Sequence, residues 1–377
     1  MRIQPFSPPY SAAADEDLRQ RLDRTRWPEE IPGSGWEYGT DPAILRGICR
    51  HWREKFDWKA QVERMAALHH FTGSSNGLDI HFIHEVGQGP APIPLILTHG
   101  WPGSFLEFVK LIPLLTDPAG HEADPADSFT VVVPSLPGFG FSAKPGRGVN
   151  ALITADLWAE LMIDLGYTRF AAQGGDIGAS VTTALGLRHP HRLFGIHLNF
   201  IPGSYRPHLP SGTQLTPAEE RFLADAARWR DEHGAYAHIQ RTTPFTAACG
   251  INDSPAGLAA WILEKFHHWS DGDAALTTDE LLTNITLYWM TETIYSSFRM
   301  YYEGGKAPLT FKENERVHVP CAVAHFPHEL LFPPSLWVER GYNLEQWTEM
   351  PRGGHFAAWE KPELLANDLR CFFRQFR

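Results

Sequence analysis

The sequence predicts an α/β fold: a mostly parallel sheet with helices on both faces, a helical insertion, and a helical arm ahead of them. Three observations predict it. Strand-like and helix-like segments alternate from residue 76 to 200 and again from 309 to 377. Between 201 and 308 the alternation stops, and helix-start signals follow one another instead. Residues 1–75 carry helical periodicity before any strand pattern begins. The expected organisation is therefore an arm over 1–75 packed on the body, a core over 76–200 and 309–377, and a cap over 201–308.

In the arm, DPAILRGICRHWREKF offers Asp41 as a cap and Pro42 at the first helical position. Leu45, Ile48, Cys49, Trp52 and Phe56 recur at three- and four-residue steps, an apolar stripe that must be buried. LDIHFIHEV (78–86) and PLILTHG (94–100) read as strands. SFLEFVKLIPLL reads as a helix started by a capping box of Ser104 and Glu107. A strand over 129–138, a helix over Asp156–Leu165, a strand over 170–175, a helix over 178–189 and a strand over 193–200 complete the first block. The insertion shows helix starts at Thr216-Pro217 with Glu219, at Ser254-Pro255, and at Thr277 with Glu280. CAVAHF (321–326) and QWTEMP (346–351) resume strand character, and a last helix covers 362–376. An all-helical block inserted in such a body is expected to cover the carboxyl ends of the strands, where these sheets bind ligands.

Composition excludes some functions. A formal net charge of −11 argues against a nucleic-acid partner, whose phosphates need a basic surface. The cysteines Cys49, Cys249, Cys321 and Cys371 form no CxxC pair and read as buried thiols in a reducing compartment. His69-His70 and His267-His268 are adjacent rather than four apart, and no HExxH occurs, so no metal is expected. The N-terminus lacks a signal-peptide core, and no run of about 18 apolar residues suggests a membrane span. A soluble, cytoplasmic protein without membrane partner is expected, with a homodimer left open.

The informative stretch is AAQGGDIGAS (171–180). Gly174-Gly175-Asp176-Ile177-Gly178 has the form small-x-nucleophile-x-small, suited to a tight strand-to-helix turn where flanking Cβ atoms would clash. Backbone N–H groups at the new helix start favour a negative charge there. Asp176 alone is equally a favoured N-cap.

With its companions the stretch reads differently. HGWPGSF (99–105), GGDIG (174–178), FPHELL (326–331) and PRGGHFAAWEKPE (351–363) occur in that order. The chain resembles the α/β-hydrolase fold and, within it, the epoxide hydrolases of the microsomal type, over essentially its whole length. The anchoring N-terminal segment of the animal microsomal enzymes has no counterpart, which implies a soluble form. The resemblance makes Asp176 the nucleophile, His355 the base that activates water, and Glu329 the acid that orients His355. No other carboxylate lies between Glu315 and Glu339. It also implies an oxyanion hole from the N–H groups of Trp101 and Ile177, and a cis bond before Pro102. Tyr236 in GAYAHIQ and Tyr301 in SSFRMYYE become the acids facing the ring oxygen. Leu287, Ile294, Phe298 and Tyr301 share one helical stripe, whereas Tyr288, Tyr295 and Tyr302 share another.

The chemistry of the residues agrees. A carboxylate opens an epoxide by displacement at carbon and leaves an ester, whereas an acyl substrate would leave a labile anhydride. A phenol with pKa ~10 stays protonated near neutrality and donates to the opening oxygen. The expected substrate is a small apolar epoxide, converted to a vicinal diol without cofactor, with Trp101, Phe105 and Phe139 in the pocket wall. The rivals are a haloalkane dehalogenase and a non-catalytic binding protein on the same fold. Such dehalogenases often carry Trp directly after the nucleophile, where this chain has Ile177. A binding protein would lack at least one of nucleophile, base or acid. Ser180 lies one turn into the helix, so a serine esterase is not supported.

Overall fold

The structure is a computed structural model, and it describes residues 1–75, 77–272 and 276–377. Among these, nine strands form one sheet: β1 (Arg2–Pro5), β2 (His70–Ser75), β3 (Leu78–Glu85), β4 (Ile93–Thr98), β5 (Phe129–Pro134), β6 (Phe170–Gly174), β7 (Leu193–Leu198), β8 (Val317–His325) and β9 (Tyr342–Glu349). Their order is β1-β2-β3-β5-β4-β6-β7-β8-β9. The pairings β1–β2, β2–β3 and β3–β5 are antiparallel. All pairings from β5 across to β9 are parallel. β4 and β5 read as nearly continuous apolar runs because both faces are covered; Leu95, Ile96, Leu97, Val131, Val132 and Val133 are fully buried.

From β4 the chain moves to β5 on one side, then returns through helix Ala151–Asp164 to β6 on the other. A crevice opens where the order reverses, at the carboxyl ends of β4 and β6. Thr98 pairs with Gly174 and Gly174 with Leu198, so β4, β6 and β7 end level. Helix Asp176–Arg188 packs on β6, β7 and helix Ala151–Asp164.

Several elements follow the sequence closely. Asp41 Oδ1 accepts from the N–H groups of Ala43 and Ile44 at 2.8 and 3.1 Å. Cys49, Trp52 and Phe56 are buried, with Leu45 and Ile48 half-buried. Thr216/Glu219 and Thr277/Glu280 both close capping boxes, and Ser254 Oγ accepts from Gly257 N–H at 3.0 Å.

Other elements differ. The arm is not wholly helical: β1 and β2 extend the sheet beyond β3, in segments too short and polar to show a period. SFLEFVKLIPLL does not form one helix. A 3-10 turn, Phe105–Phe108, precedes a separate helix, Leu111–Thr116. A continuous helix would set the Pro113 ring against the carbonyl of Val109. Ser104 Oγ accepts from Leu106 N–H, so no capping box forms with Glu107. The helix expected over Asp156–Leu165 begins at Ala151, capped by Asn150. The stripe from Leu287 to Tyr301 is interrupted, since Glu292 at φ 51° separates helices Thr278–Thr291 and Ile294–Gly304. Cys249 and Cys371 are exposed on outward helix faces, so only Cys49 and Cys321 are buried thiols.

The arm is tied to the helical insertion. Thr40 Oγ1 donates to the Ala260 carbonyl at 2.7 Å, Arg21 reaches Asp253, and Trp36 stacks on His267 with ring centroids 3.7 Å apart. No helix among the described residues is long and apolar enough to cross a membrane.

Candidate active site

The turn after β6 is built by glycine. A Cβ on Gly178 would lie 1.9 Å from the Thr98 carbonyl oxygen, and one on Gly174 would lie 2.3 Å from that of Gly178. Only bare backbone lets the helix approach β4 so closely. Asp176 opens the helix at φ 49°, a strained position for a non-glycine residue, costing about 1–3 kcal/mol. It does not act as a cap: Gly175 occupies that position, with no side-chain cap bond. Asp176 Oδ1 instead accepts the Trp101 N–H at 2.8 Å, across from β4.

The other oxygen, Oδ2, lies 3.5 Å from His355 Nε2, and His355 Nδ1 lies 2.6 Å from Glu329 Oε1. Asp176, Glu329 and His355 follow β6, β8 and β9, so three strand ends bring the expected triad together. The side chains of His355 and Glu329 are buried. Burial pulls the His355 pKa down. The charge of Glu329, hydrogen bonds to Asp176 and Glu329, and the Asp176 charge outweigh it and hold the imidazole well above its ordinary value.

The loop after β4 supplies the facing donors. Trp101 and Pro102 are joined by a cis bond. The carbonyls of Pro102 and Gly103 accept from Asn284 Nδ2 and from the Tyr288 hydroxyl, each at 2.8 Å. Ile177 is the second residue of its helix, so its N–H has no acceptor within the helix. Both expected oxyanion-hole residues thus border Asp176.

The two expected tyrosines meet above Trp101. The Tyr236 ring stacks on the Trp101 indole at 5.3 Å, Tyr301 stands edge-on to it at 5.9 Å, and the two phenols share a hydrogen bond. Burial, reinforced by the Asp176 charge, pushes both hydroxyls above the ordinary tyrosine value, which keeps them protonated at neutral pH. Tyr288 spends its hydroxyl on Gly103, and Tyr302 is exposed.

Phe105 and Phe139 do not face this space. Phe105 packs with His70, His81 and Phe141, and Phe139 packs with His99 and Tyr288. Turning as a 3-10 segment aims Phe105 into the core. Phe200 and Trp269 instead stand edge-on to His355 at 5.5 and 5.2 Å.

A small cavity adjoins the triad, bordered by Gly100, Trp101, Glu107, Asp176, Asn199 and His355, with about 10 Å³ open to the centre of a water-sized molecule. That is about the room one water requires. Glu107 was expected to serve as a helix cap. Its Oε1 lies instead where a Cβ on Gly103 would sit. Part of its surface stays open, yet close packing around the carboxyl dominates and pushes its pKa up to about 8. The His355 charge and the Gly100 N–H pull against this, and the Asp176 charge adds to it. The available signal was a carboxylate between Leu106 and Phe108, immediately after the HGWPG loop.

Asp176 at a strand-to-helix elbow, with Glu329 and His355 in the loops after later strands of the same sheet, is the arrangement of an α/β hydrolase. The family model of the alpha/beta hydrolase fold matches residues 93–362, and that of the epoxide hydrolase N terminus matches residues 3–108. Epoxide hydrolase 1 of Oryctolagus cuniculus is 41% identical, over 98% of this chain and 88% of that protein. The crystal structure of juvenile hormone epoxide hydrolase from Bombyx mori superposes with a TM-score of 0.88 at 31% identity, covering 100% of this chain and 95% of that one. Aspergillus niger epoxide hydrolase gives 0.86 at 30% identity, covering 100% and 97%. The chain belongs to the epoxide hydrolases, enzymes that add water to an epoxide.

Proposed function

We propose that this enzyme works through a covalent alkyl ester on Asp176 and that its substrate is a small apolar epoxide. The observation that carries the proposal is the division of labour between the two Asp176 oxygens. Oδ1 is held by the Trp101 N–H, and Oδ2 is left facing the space beside His355. Oδ2 attacks a ring carbon, the carbon–oxygen bond of the epoxide breaks, and a proton from the Tyr236/Tyr301 pair passes to the oxygen. Oδ1 becomes the ester carbonyl oxygen.

In the second half, His355 Nε2 takes a proton from a water while the water oxygen bonds to Cγ of Asp176. Trp101 and Ile177 N–H groups stabilise the resulting oxyanion. The ester bond breaks, the departing diol oxygen takes the proton from His355, and the proton released by the restored carboxylate replaces the one the tyrosines gave. Alkylation also removes the Asp176 charge and hydrogen bond, both of which raise the His355 pKa. His355 then gives up its proton more readily and is neutral, able to accept one, when the water is activated. Glu107 and His355 border the cavity beside Cγ, and Glu107 in its protonated form holds the water there. Aromatic surfaces of Trp101, Phe200 and Trp269 favour an apolar substituent.

Rapid quenching of His355→Gln with an aromatic epoxide tests this reading. The peptide holding Asp176 should gain the mass of one whole epoxide while diol release stops. Diol formation with no adduct at any time would overturn it.

A further inference from the structure

Four consecutive N–H groups around the base, from Gly353 to Phe356, are spent on two places. Gly353 donates to Asp271 Oδ2 at 2.7 Å and His355 to the Trp269 carbonyl at 2.9 Å. Gly354 and Phe356 donate to the two oxygens of Glu360 at 3.1 and 3.0 Å. Glu360 then accepts a third N–H, from Asp271, at 2.7 Å. Trp269 ends the helix Pro255–Trp269 of the insertion, so these bonds join the histidine loop to the cap. Asp271 Oδ1 also pairs with His328 Nε2 at 3.1 Å, beside the acid Glu329. The contact is close as well as polar: a Cβ on Gly354 would lie 2.6 Å from the Trp269 carbonyl oxygen. Phe266 of the same helix stacks on Phe356 at 4.2 Å.

We infer that the end of this cap helix and the buried carboxylate of Glu360 together set the position of His355, making Glu360 and Asp271 positioning residues for the hydrolytic half-reaction. The inference rests on the covalent reading above. Ring opening uses Asp176, the Trp101 N–H and the two tyrosines. The Trp269 ring packs on Tyr236 and Trp101, but none of the hydrogen bonds that Glu360 and Asp271 make reaches these groups. Ester hydrolysis needs His355 Nε2 in line with a water and Cγ of Asp176. A displacement near 1 Å there costs about 10²-fold. The clamp therefore acts on one half of the reaction and spares the other.

Single turnover of an aromatic epoxide separates the halves. In Glu360→Gln, whose amide can neither accept at both oxygens nor carry the charge, alkylation should stay within about threefold of wild type. Hydrolysis should fall about 10- to 100-fold, so the ester accumulates and kcat and KM fall together. Asp271→Ala, on the partly exposed side of the clamp, should shift the partition the same way by a smaller factor, and it decides the matter if Glu360→Gln does not fold. Equal slowing of both steps, or an unchanged partition in folded Asp271→Ala, would overturn the inference. Wild-type enzyme that forms no ester would instead overturn the covalent reading beneath it.

Discussion

Asp176 combines backbone strain at φ 49° with a carboxylate divided between the Trp101 N–H and His355. Asparagine there keeps the shape and removes the carboxylate that the proposed mechanism uses as nucleophile, so Asp176→Asn should lower kcat by about 10⁴-fold or more in a steady-state assay. The same change withdraws a charge and a hydrogen bond that raise the His355 pKa, so the imidazole should titrate lower by NMR in the variant than in the native enzyme. Tyr236→Phe or Tyr301→Phe removes one of two donors and should slow alkylation by about 10- to 100-fold. Glu107 has a pH signature. Its folded pKa of about 8 exceeds the ordinary 4.5, so between those values the folded chain keeps a proton that the unfolded chain has lost. Stability from this group therefore falls as pH rises through that window. Above pH 6.5, where the buried histidines no longer change charge, Glu107→Gln should flatten the decline in Tm toward about pH 8 and slow ester hydrolysis. At this scale the meeting of Asp176, His355 and Glu329 was legible because each sits in a short motif at a strand end. Glu107 was not, because S-x-x-E is also a helix signal, and only Pro113, eight positions after Phe105, shows that no long helix follows.

Elements were legible where one period dominates. The buried runs of β4 and β5, the capped helix Pro42–Glu54 and the helix starts at Thr216 and Thr277 appear in the structure as the sequence implied, whereas the capping box expected at Ser104 and Glu107 does not. β1 and β2 were not, since strands of four and six residues at a sheet edge depend on the partner they extend. Nor was the break at Glu292 in the insertion, a left-handed residue with no glycine to mark it. The approach of helix Asp176–Arg188 to β4 is the tightest requirement of the elbow. Gly178→Ala should push the helix off the Thr98 carbonyl and destabilise the fold by about 1–3 kcal/mol in urea denaturation, with activity reduced in parallel. A variant with unchanged midpoint and activity would show that the close contact is dispensable. The insertion also does more than cover the sheet, since Asn284 and Tyr288 hold the loop after β4 at Pro102 and Gly103 while Trp269 and Asp271 hold the loop that carries His355.

Across the whole molecule, neutral histidines are built into the core where β2, β3 and the loop after β5 meet. His70 Nδ1 lies 2.8 Å from His81 Nε2, His81 Nδ1 lies 2.9 Å from Ser135 Oγ, and His99 Nε2 accepts the Leu136 N–H at 3.1 Å. Burial lowers the pKa of all three, that of His99 to about 4. Because the unfolded chain takes up protons first, their contribution is complete above the ordinary value of 6.5 and is lost as pH falls below it. Tm should therefore decline between about pH 6.5 and 4, followed by circular dichroism; a flat profile there would contradict these protonation states. The arrangement as a whole places arm, sheet and insertion around one carboxylate, and the central claim is that this carboxylate forms a bond to the substrate. A single turnover of an epoxide in oxygen-18 water, with enzyme in excess, tests that claim most directly. The label should enter the Asp176 carboxylate and be absent from the diol, whereas label in the diol and none on the Asp176 peptide would show water attacking the epoxide itself.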